Sequence, residues 1–155
     1  MAAVTEHLEG RGIPFELVPH ERAYTSIEEA RALGIAADEV VKTIVLDTEG
    51  GHALAVIPAS RRLDMKQARE AVGDKHARFA TEEELERDFP AYELGALAPL
   101  GSLLGTPTYV DPEVLAHETV VFPAGTQRES VKVRTEDLFR EEPFTRAPLT
   151  KVAER

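Results

Sequence analysis

Lys42 is a residue whose type and position could do chemistry, because it interrupts the apolar run VVKTIVLD at residues 40–47. Strand alternation places Lys42 on one face with Ile44 and Leu46, and Thr43 on the other. Both faces are apolar, which predicts a strand covered on both sides. The pattern leaves three interpretations of the ammonium group open: it reaches out to the rim, it protects a strand edge, or it meets an anion at an apolar pocket.

The apolar loop GALAP at residues 95–99, followed by Leu100 and Gly101, is the second chemical feature. Glycine permits close backbone approach and positive φ, and proline stiffens the loop. Such a loop can present several backbone N–H groups to a carbonyl or carboxyl oxygen. The surrounding segment 92–107 is unusually apolar for a loop, which indicates that it lines or closes a pocket. An ordinary turn is the alternative.

The charge distribution limits the possible partners. The chain carries a net charge of −10, whereas a general nucleic-acid-coating protein is basic. Residues 61–78 hold six cations and three anions, a local net charge of +3. This basic segment is either a solvated helix face or a phosphate-binding patch, and the residues that favour the second interpretation are Arg61, Arg62, Lys66 and Arg69.

Several kinds of site are not supported. The chain has no cysteine, which excludes disulfides, thiolate nucleophiles and Cys-based metal sites. Its five histidines lack HxxxH or HExxH spacing, so neither a metal nor a cofactor is predicted. There is no G-x-S-x-G motif to position a nucleophilic serine. His20 lies between a strand and a helix, either at a pocket rim or on the open surface.

The chain reads as one domain over residues 1–155, of mixed α/β class, with a mostly antiparallel sheet and helices around it. Apolar periodicity, turn residues and caps predict the element boundaries. Helices are expected at 3–10, 26–33, 65–72, 82–89 and 136–142. Strands are expected at 14–18, 40–47, 52–58, 77–79, 107–111, 118–122 and 129–134. No membrane-spanning segment or signal peptide is predicted, and the expected location is the cytoplasm.

Local signals refine these boundaries. Capping boxes are predicted at Ser26 with Glu29 and at Thr81 with Glu84, and Thr135 is expected to cap the last helix. The strand ESVKVR alternates, with its two valines expected inward. Its polar residues Ser130, Lys132 and Arg134 are expected outward. The segment from Pro143 onward reads as a loosely packed tail.

Four segments carry a resemblance to a known family: DEVVKTIVL, LAVIPASRRLDMKQAREAVG, YELGALAPLGSLLGTPTYVD and AGTQRESVKVRTEDL. Their order and spacing resemble the YbaK and prolyl-tRNA-synthetase-associated (ProX-like) aminoacyl-tRNA deacylases. The resemblance extends from Ile13 to about Leu138.

The resemblance implies a bent, mostly antiparallel sheet with flanking helices, and hydrolysis of the ester that joins a wrong amino acid to tRNA, often proline tRNA. Lys42 matches the family's key lysine. Substrate binding is implied for Thr43, for the loop residues Gly95, Ala96, Leu97, Ala98 and Pro99, for Gly101, and for Asp137 near the C-terminal helix. His20 is a further candidate for substrate binding.

The partners implied are aminoacylated tRNA and, as a candidate docking partner, prolyl-tRNA synthetase, with no membrane and no DNA. Two departures leave the removed amino acid open. Residues 102–104 read Ser-Leu-Leu where the cysteine-removing type carries basic residues, and no histidine occurs at 123–127. The alternative function is a non-catalytic module of the same fold that binds an aminoacyl or nucleotide ligand.

Overall fold

The computed structural model describes residues 2–151, which form a mixture of helices and strands. The helices are α1 Ala2–Gly10, α2 Ser26–Leu33, α3 Met65–Val72, α4 Glu82–Asp88, α5 Gly101–Leu104, α6 Pro112–Leu115 and α7 Thr135–Glu141. The strands are β1 Phe15–Pro19, β2 Val41–Thr48, β3 Gly51–Pro58, β4 Arg78–Phe79, β5 Thr108–Val110, β6 Thr119–Pro123, β7 Glu129–Arg134 and β8 Thr145–Arg146. Over these residues, no helix is both long and apolar enough to cross a membrane.

The strands form two sheets. One is antiparallel, with the order β1-β7-β6. The other has the order β4-β2-β3-β5-β8, in which β2 pairs antiparallel with β3 and β4, whereas β3–β5 and β5–β8 are parallel. A parallel bridge from Val40 to Val121 joins the sheets. The mixed α/β class and the mostly antiparallel pairing predicted from the sequence are confirmed.

The hairpin β2–β3 is covered on both faces, as its two apolar faces predict. On one face, Val41 and Val56 belong to the main core with Phe122. On the other face, Leu46 and Ile57 pack in a cluster with α3. Helix α3 begins at the N-cap Asp64 and ends at Gly73, whose φ of +70° suits glycine.

Helix α2 covers the predicted residues, but its N-cap lies one residue earlier than predicted. Thr25 is the N-cap, and its side chain accepts a hydrogen bond from the backbone N–H of Glu28 at 3.1 Å. The Glu28 carboxylate in turn accepts the backbone N–H of Tyr24 at 3.0 Å. The predicted pair, Ser26 and Glu29, is turned inward instead and is buried. The second predicted capping box, at Thr81, is confirmed.

The predictions for the last third of the chain are partly wrong. Arg134, not Thr135, is the N-cap of α7, and Thr135 is buried with its hydroxyl unpaired. Ser130 points away from the two valines but is fully buried, because α2 covers it. Helix α5 lies in the segment that was expected to be a loop, and no prediction was made for α6, since four-residue helices have too few turns to give a periodic pattern.

The segment from Pro143 is packed rather than loose. Strand β8 adds to the sheet beside β5, and Leu149 is fully buried. The buried carboxylate of Asp111 anchors this segment by accepting the backbone N–H of Leu149 at 2.8 Å and the hydroxyl of Thr150 at 3.1 Å. No sequence pattern indicates such an anchor, because its partners lie 38 and 39 residues away.

We expect Asp111→Ala to lower the free energy of unfolding by roughly 2–4 kcal/mol, because it removes buried hydrogen bonds to a charged group. The exposed neighbour Glu113, replaced by alanine, serves as the matched control and is expected to change stability by less than about 0.5 kcal/mol. Urea unfolding of both variants measures the difference. Equal effects of the two substitutions would contradict the anchoring role of Asp111.

Candidate functional site

A gap along the outer edge of β2 forms the candidate site. The inner edge of this strand pairs with β3 over all eight residues. On the outer edge, β6 approaches at Val40, and the short strand β4 pairs only with Leu46 and Asp47. Between these two contacts, residues 41–45 line a cavity of about 400 Å³. The cavity therefore exists because neither neighbouring strand covers the middle of the edge.

Thr43 lies in the middle of this gap. In an antiparallel ladder, the N–H and C=O of one residue point to the same edge, and alternate residues share that edge. Val45 accepts the backbone N–H of Ala80 at 3.0 Å on the outer edge, so the N–H and C=O of Thr43 point there too. No strand of residues 2–151 pairs with Thr43 on that side. Its hydroxyl is also buried without a partner, so Thr43 offers both a donor and acceptors to a ligand.

Lys42 lines the same cavity and is partly buried. Within the described part of the chain, its ammonium group makes no ion pair and no hydrogen bond. Burial lowers the pKa of Lys42 below its usual value, and the nearby positive charge of Arg62 lowers it further. An anion bound in the cavity would offset both effects, because it favours the charged form of the lysine.

The loop at 95–99 contributes alternate residues to the cavity. Gly95 and Leu97 line it, whereas Ala96, Ala98 and Pro99 are buried in the protein. Gly95 has a φ of +77°, and a β-carbon at this position would overlap the carbonyl oxygen of Tyr24. The prediction that this loop lines a pocket is therefore confirmed.

Gly101 is also needed for close packing, but it does not line the cavity. A β-carbon on Gly101 would overlap the hydroxyl of Thr108. Asp137 lies on α7, outside the cavity lining, and pairs with Arg140 at 3.0 Å. The structure thus keeps these two predicted residues away from the Lys42 cavity.

The four predicted cations are not brought together. The positive charge of Arg62 lowers the pKa of Lys42. The neighbouring Arg61 instead forms an ion pair with Glu113 at 3.7 Å. Lys66 and Arg69 line a different cleft, of about 830 Å³, beside the β2–β3 turn. A hydrogen bond of 2.9 Å from Arg69 to the carbonyl of Ala77 gives Arg69 a structural role there.

His20 is partly buried and belongs to a network with two buried residues, Ser130 and Glu29, behind the Gly95 loop. Its Nε2 lies 2.8 Å from the hydroxyl of Ser130, which also contacts the carboxylate of Glu29. Its Nδ1 lies 2.6 Å from the carbonyl of Glu21. Burial raises the pKa of Glu29 to about 7, against the opposing effect of its hydrogen bond with Ser130. His20, Glu29 and Gly95 line one small void, and the main cavity excludes His20 and Glu29.

Hydrogen-bond rules constrain this network. The carbonyl of Glu21 can only accept, so Nδ1 of His20 donates to it. The Ser130 hydroxyl carries a single proton, so it cannot donate to both Glu29 and Nε2 of His20 at once.

The aromatic residues Tyr24 and Phe79 also line the cavity, together with Leu94. Sequence reasoning missed them because single aromatic residues in a loop and in a two-residue strand give no periodic pattern. Residues 2–151 contain no group of three or more His, Cys, Asp or Glu side chains that could hold a metal ion.

Comparison with known proteins identifies the family. Residues 20–141 match the family model of the aminoacyl-tRNA editing domain. The chain belongs to the aminoacyl-tRNA editing domain family. This editing domain is 32% identical over 104 residues to the prolyl-tRNA editing protein ProX of Acetoanaerobium sticklandii. It is 29% identical over 91 residues to the proline–tRNA ligase of Fervidobacterium nodosum.

The alignments cover part of each relative. They span 65% of this chain and 62% of the ProX protein, and 56% of this chain but only 16% of the ligase. A crystal structure of a candidate trans-editing enzyme for prolyl tRNA synthetase matches over 97% of this chain and 96% of that chain. Its TM-score is 0.86 at 27% identity. A hypothetical protein with a TM-score of 0.87 at 24% identity shares the fold.

A second polar cluster fixes the far end of the Gly95–Gly101 segment in the editing domain. The Ser102 hydroxyl donates to the buried carboxylate of Glu142 at 2.6 Å and lies 2.9 Å from Nε2 of His7. His7 also contacts Glu142 at 3.1 Å. These contacts connect α5 to α1 and to the end of α7. They give Ser102 a structural function in this chain.

Replacement of Gly95 by alanine tests the loop geometry. We expect a loss of roughly 3 kcal/mol or more in the free energy of unfolding, because strain at positive φ adds to overlap with Tyr24. Gly105→Ala is the matched control, since φ is +64° there and no atom lies within 4 Å of the added carbon. It is expected to lose only about 1–2 kcal/mol. Equal losses in urea unfolding would contradict the close contact at Gly95.

Glu29→Gln tests the buried network through pH. The unfolded glutamate releases its proton near pH 4.5, whereas the folded one keeps it up to about pH 7. The folded state binds more protons between these values, so the free energy of unfolding falls as pH rises through this window. Glutamine cannot ionise, and its amide can donate to Ser130. Relative to wild type, the variant is expected to gain up to roughly 3 kcal/mol between about pH 4 and pH 8.

The exposed Glu16→Gln is the control for the network, and it is expected to leave the pH profile of wild type unchanged. Chemical unfolding at several pH values measures both variants. If Glu29→Gln and wild type show parallel pH profiles, the carboxyl of Glu29 does not hold the extra proton.

Proposed function

We propose that this editing domain hydrolyses the ester bond between tRNA and a wrongly attached amino acid, acting in trans on released aminoacyl-tRNA. The observation that carries the proposal is the convergence of Lys42, the open edge at Thr43 and the Gly95 loop on one cavity. Membership of the aminoacyl-tRNA editing family supports the same reaction. A cavity of about 400 Å³ has room for an aminoacyl group and part of a ribose.

In the proposed reaction, water attacks the ester carbonyl. A bond forms between the water oxygen and the carbonyl carbon, the bond from that carbon to the ribose oxygen breaks, and the ribose oxygen receives a proton. The products are the free amino acid and a tRNA with an intact terminal hydroxyl. The Lys42 ammonium stabilises the negative charge that develops on the ester oxygen, in a site where water is partly excluded.

The remaining groups at the cavity position the substrate. The N–H of Thr43 can donate to a carbonyl oxygen of the aminoacyl group, and its C=O can accept from the α-ammonium group. Gly95 lets the loop backbone come close without a side chain in the way, and Leu97 adds an apolar wall. Such positioning supplies a large part of a rate enhancement without a nucleophilic side chain.

We propose proline tRNA carrying a small wrong amino acid as the substrate. The support is the similarity to a prolyl-tRNA editing protein and to a proline–tRNA ligase. Prolyl-tRNA synthetase is the proposed docking partner, and the cytoplasm, where aminoacyl-tRNA is made and used, is the proposed location. Arg62, whose positive charge acts on Lys42, is the best placed of the four cations to meet a tRNA phosphate, because Arg61 pairs with Glu113, and Lys66 and Arg69 line a separate cleft.

Lys42→Ala tests the proposed catalytic group. We expect kcat/KM for deacylation of mischarged proline tRNA to fall about 100-fold or more, as when an oxyanion-stabilising donor is removed. Lys132→Ala, at an exposed lysine on β7, is the matched control and is expected to keep wild-type activity. The substrates are proline tRNAs charged with cysteine, alanine or serine, and circular dichroism checks the fold of each variant.

A folded Lys42→Ala protein with wild-type kcat/KM would contradict the role of Lys42. If wild-type protein deacylates none of the charged tRNAs, the protein is instead a binding module of the same fold.

A further inference from the structure

The apolar side chains exposed on the surface are concentrated at one place. Among residues 2–151, five large apolar side chains are exposed: Leu17, Tyr24, Ile27, Phe79 and Leu94. Three of them line the Lys42 cavity: Tyr24 at 55% exposure, Phe79 at 52% and Leu94 at 49%. Single exposed apolar residues are common on protein surfaces, but three around one opening indicate a binding surface.

The backbone of Tyr24, Phe79 and Leu94 is held in place by contacts within the protein, while their side chains remain exposed to solvent. Phe79 pairs with Leu46 across β4 and β2. The Tyr24 carbonyl packs against Gly95, and the Leu94 carbonyl accepts a hydrogen bond of 2.9 Å from the Gln127 side chain. Rigid backbone with open apolar side chains suits a preformed surface that contacts a ligand without reordering.

The charges nearby indicate what the ligand carries. Arg22 lies 5.9 Å from the centre of the Tyr24 ring, Lys42 and the acidic residue Glu82 line the cavity, and the positive charge of Arg62 lowers the pKa of Lys42. These cations stand out on a chain with a net charge of −10. Aromatic faces next to cations suit a ligand with a flat base and an attached phosphate, which is the chemistry of a nucleotide.

We propose that Tyr24, Phe79 and Leu94 bind the terminal adenine base of the tRNA while the aminoacyl group enters the cavity. This assignment rests on the proposed function, because it names the part of that substrate that lies outside the cavity. The base stacks on the Phe79 and Tyr24 rings, with Leu94 at its edge. Stacking on an aromatic side chain contributes about 1–3 kcal/mol per base.

A fluorescence experiment tests the base contact independently of catalysis. The chain has no tryptophan, so Phe79→Trp introduces a single indole probe at the proposed surface. The titrant is 3′-deoxy-3′-(alanylamino)adenosine, whose amide bond resists hydrolysis. We expect saturable quenching of the indole by this compound and much weaker quenching by the cytidine counterpart. Leu17→Trp, at an exposed leucine outside the cavity, is the matched control and is expected to show no saturable change.

Kinetic variants provide the second measurement. Tyr24→Ala and Phe79→Ala are each expected to raise KM for mischarged tRNA roughly 5- to 100-fold, the equivalent of losing one stacking contact, with kcat within about twofold of wild type. Phe79→Tyr keeps an aromatic face and is expected to restore KM. Leu17→Ala is expected to match wild type.

The outcomes separate this proposal from the proposed function. Saturable quenching by the adenosine compound in a protein that deacylates nothing supports the base site and overturns the hydrolase. Deacylation with unchanged KM in both alanine variants, and no quenching in the Phe79→Trp protein, overturns the base site and leaves the hydrolase. Quenching that depends on protein concentration and not on the nucleoside shows self-association through this surface and also overturns the base site.

Discussion

The incomplete pairing of β2 is the constraint on which the rest of the site depends. Hydrogen bonding to β3 fixes this strand along its inner edge, so its position does not depend on any ligand. Its outer edge is divided between β6 at one end and β4 at the other, which leaves Thr43 unpaired among the described strands. Unpaired backbone N–H and C=O groups in a partly buried position are unfavourable unless a ligand or water forms the missing hydrogen bonds. The open edge is therefore both the floor of the cavity and a reason for a ligand to bind there.

Other unfavourable features lie at this cavity or in the small void behind the Gly95 loop. Lys42 is partly buried without an anion, and a carboxylate oxygen of Glu29 is buried without a hydrogen-bond partner. Gly95 adopts a conformation that other residues rarely adopt. Proteins concentrate such costs at functional sites, where the surrounding core maintains them. Here the core between the two sheets, which contains Val41, and the cluster under α3 hold the hairpin rigid on both sides.

The sequence predicted the features that depend on local signals. The hairpin at 40–58 follows from two apolar runs around a glycine turn, and α3 follows from Asp64 and Gly73. Local signals failed at the start of α2, where two adjacent residues fit the capping pattern equally well. Both Thr25 with Glu28 and Ser26 with Glu29 have the required spacing. Only tertiary packing selects Thr25 as the N-cap. Ser130, the Asp111 anchor and the exposed Phe79 depend on contacts distant in sequence, which periodicity does not report. Lys42 and Gly95 were candidates because a charge in an apolar strand and a glycine in an apolar loop are locally unusual, and the family resemblance assigned them to the substrate site.

The central claim is that Lys42 is an ammonium group held without a partner for an anionic, tRNA-linked ligand. Nuclear magnetic resonance titration of the Lys42 Nζ group, without and with a non-hydrolysable aminoacyl-adenosine 5′-phosphate, tests it most directly. The free protein is expected to show a pKa for Lys42 below the usual value for lysine, and the ligand is expected to raise it. An ordinary pKa for Lys42 in the free protein, or no change in it when the ligand binds, would contradict the account.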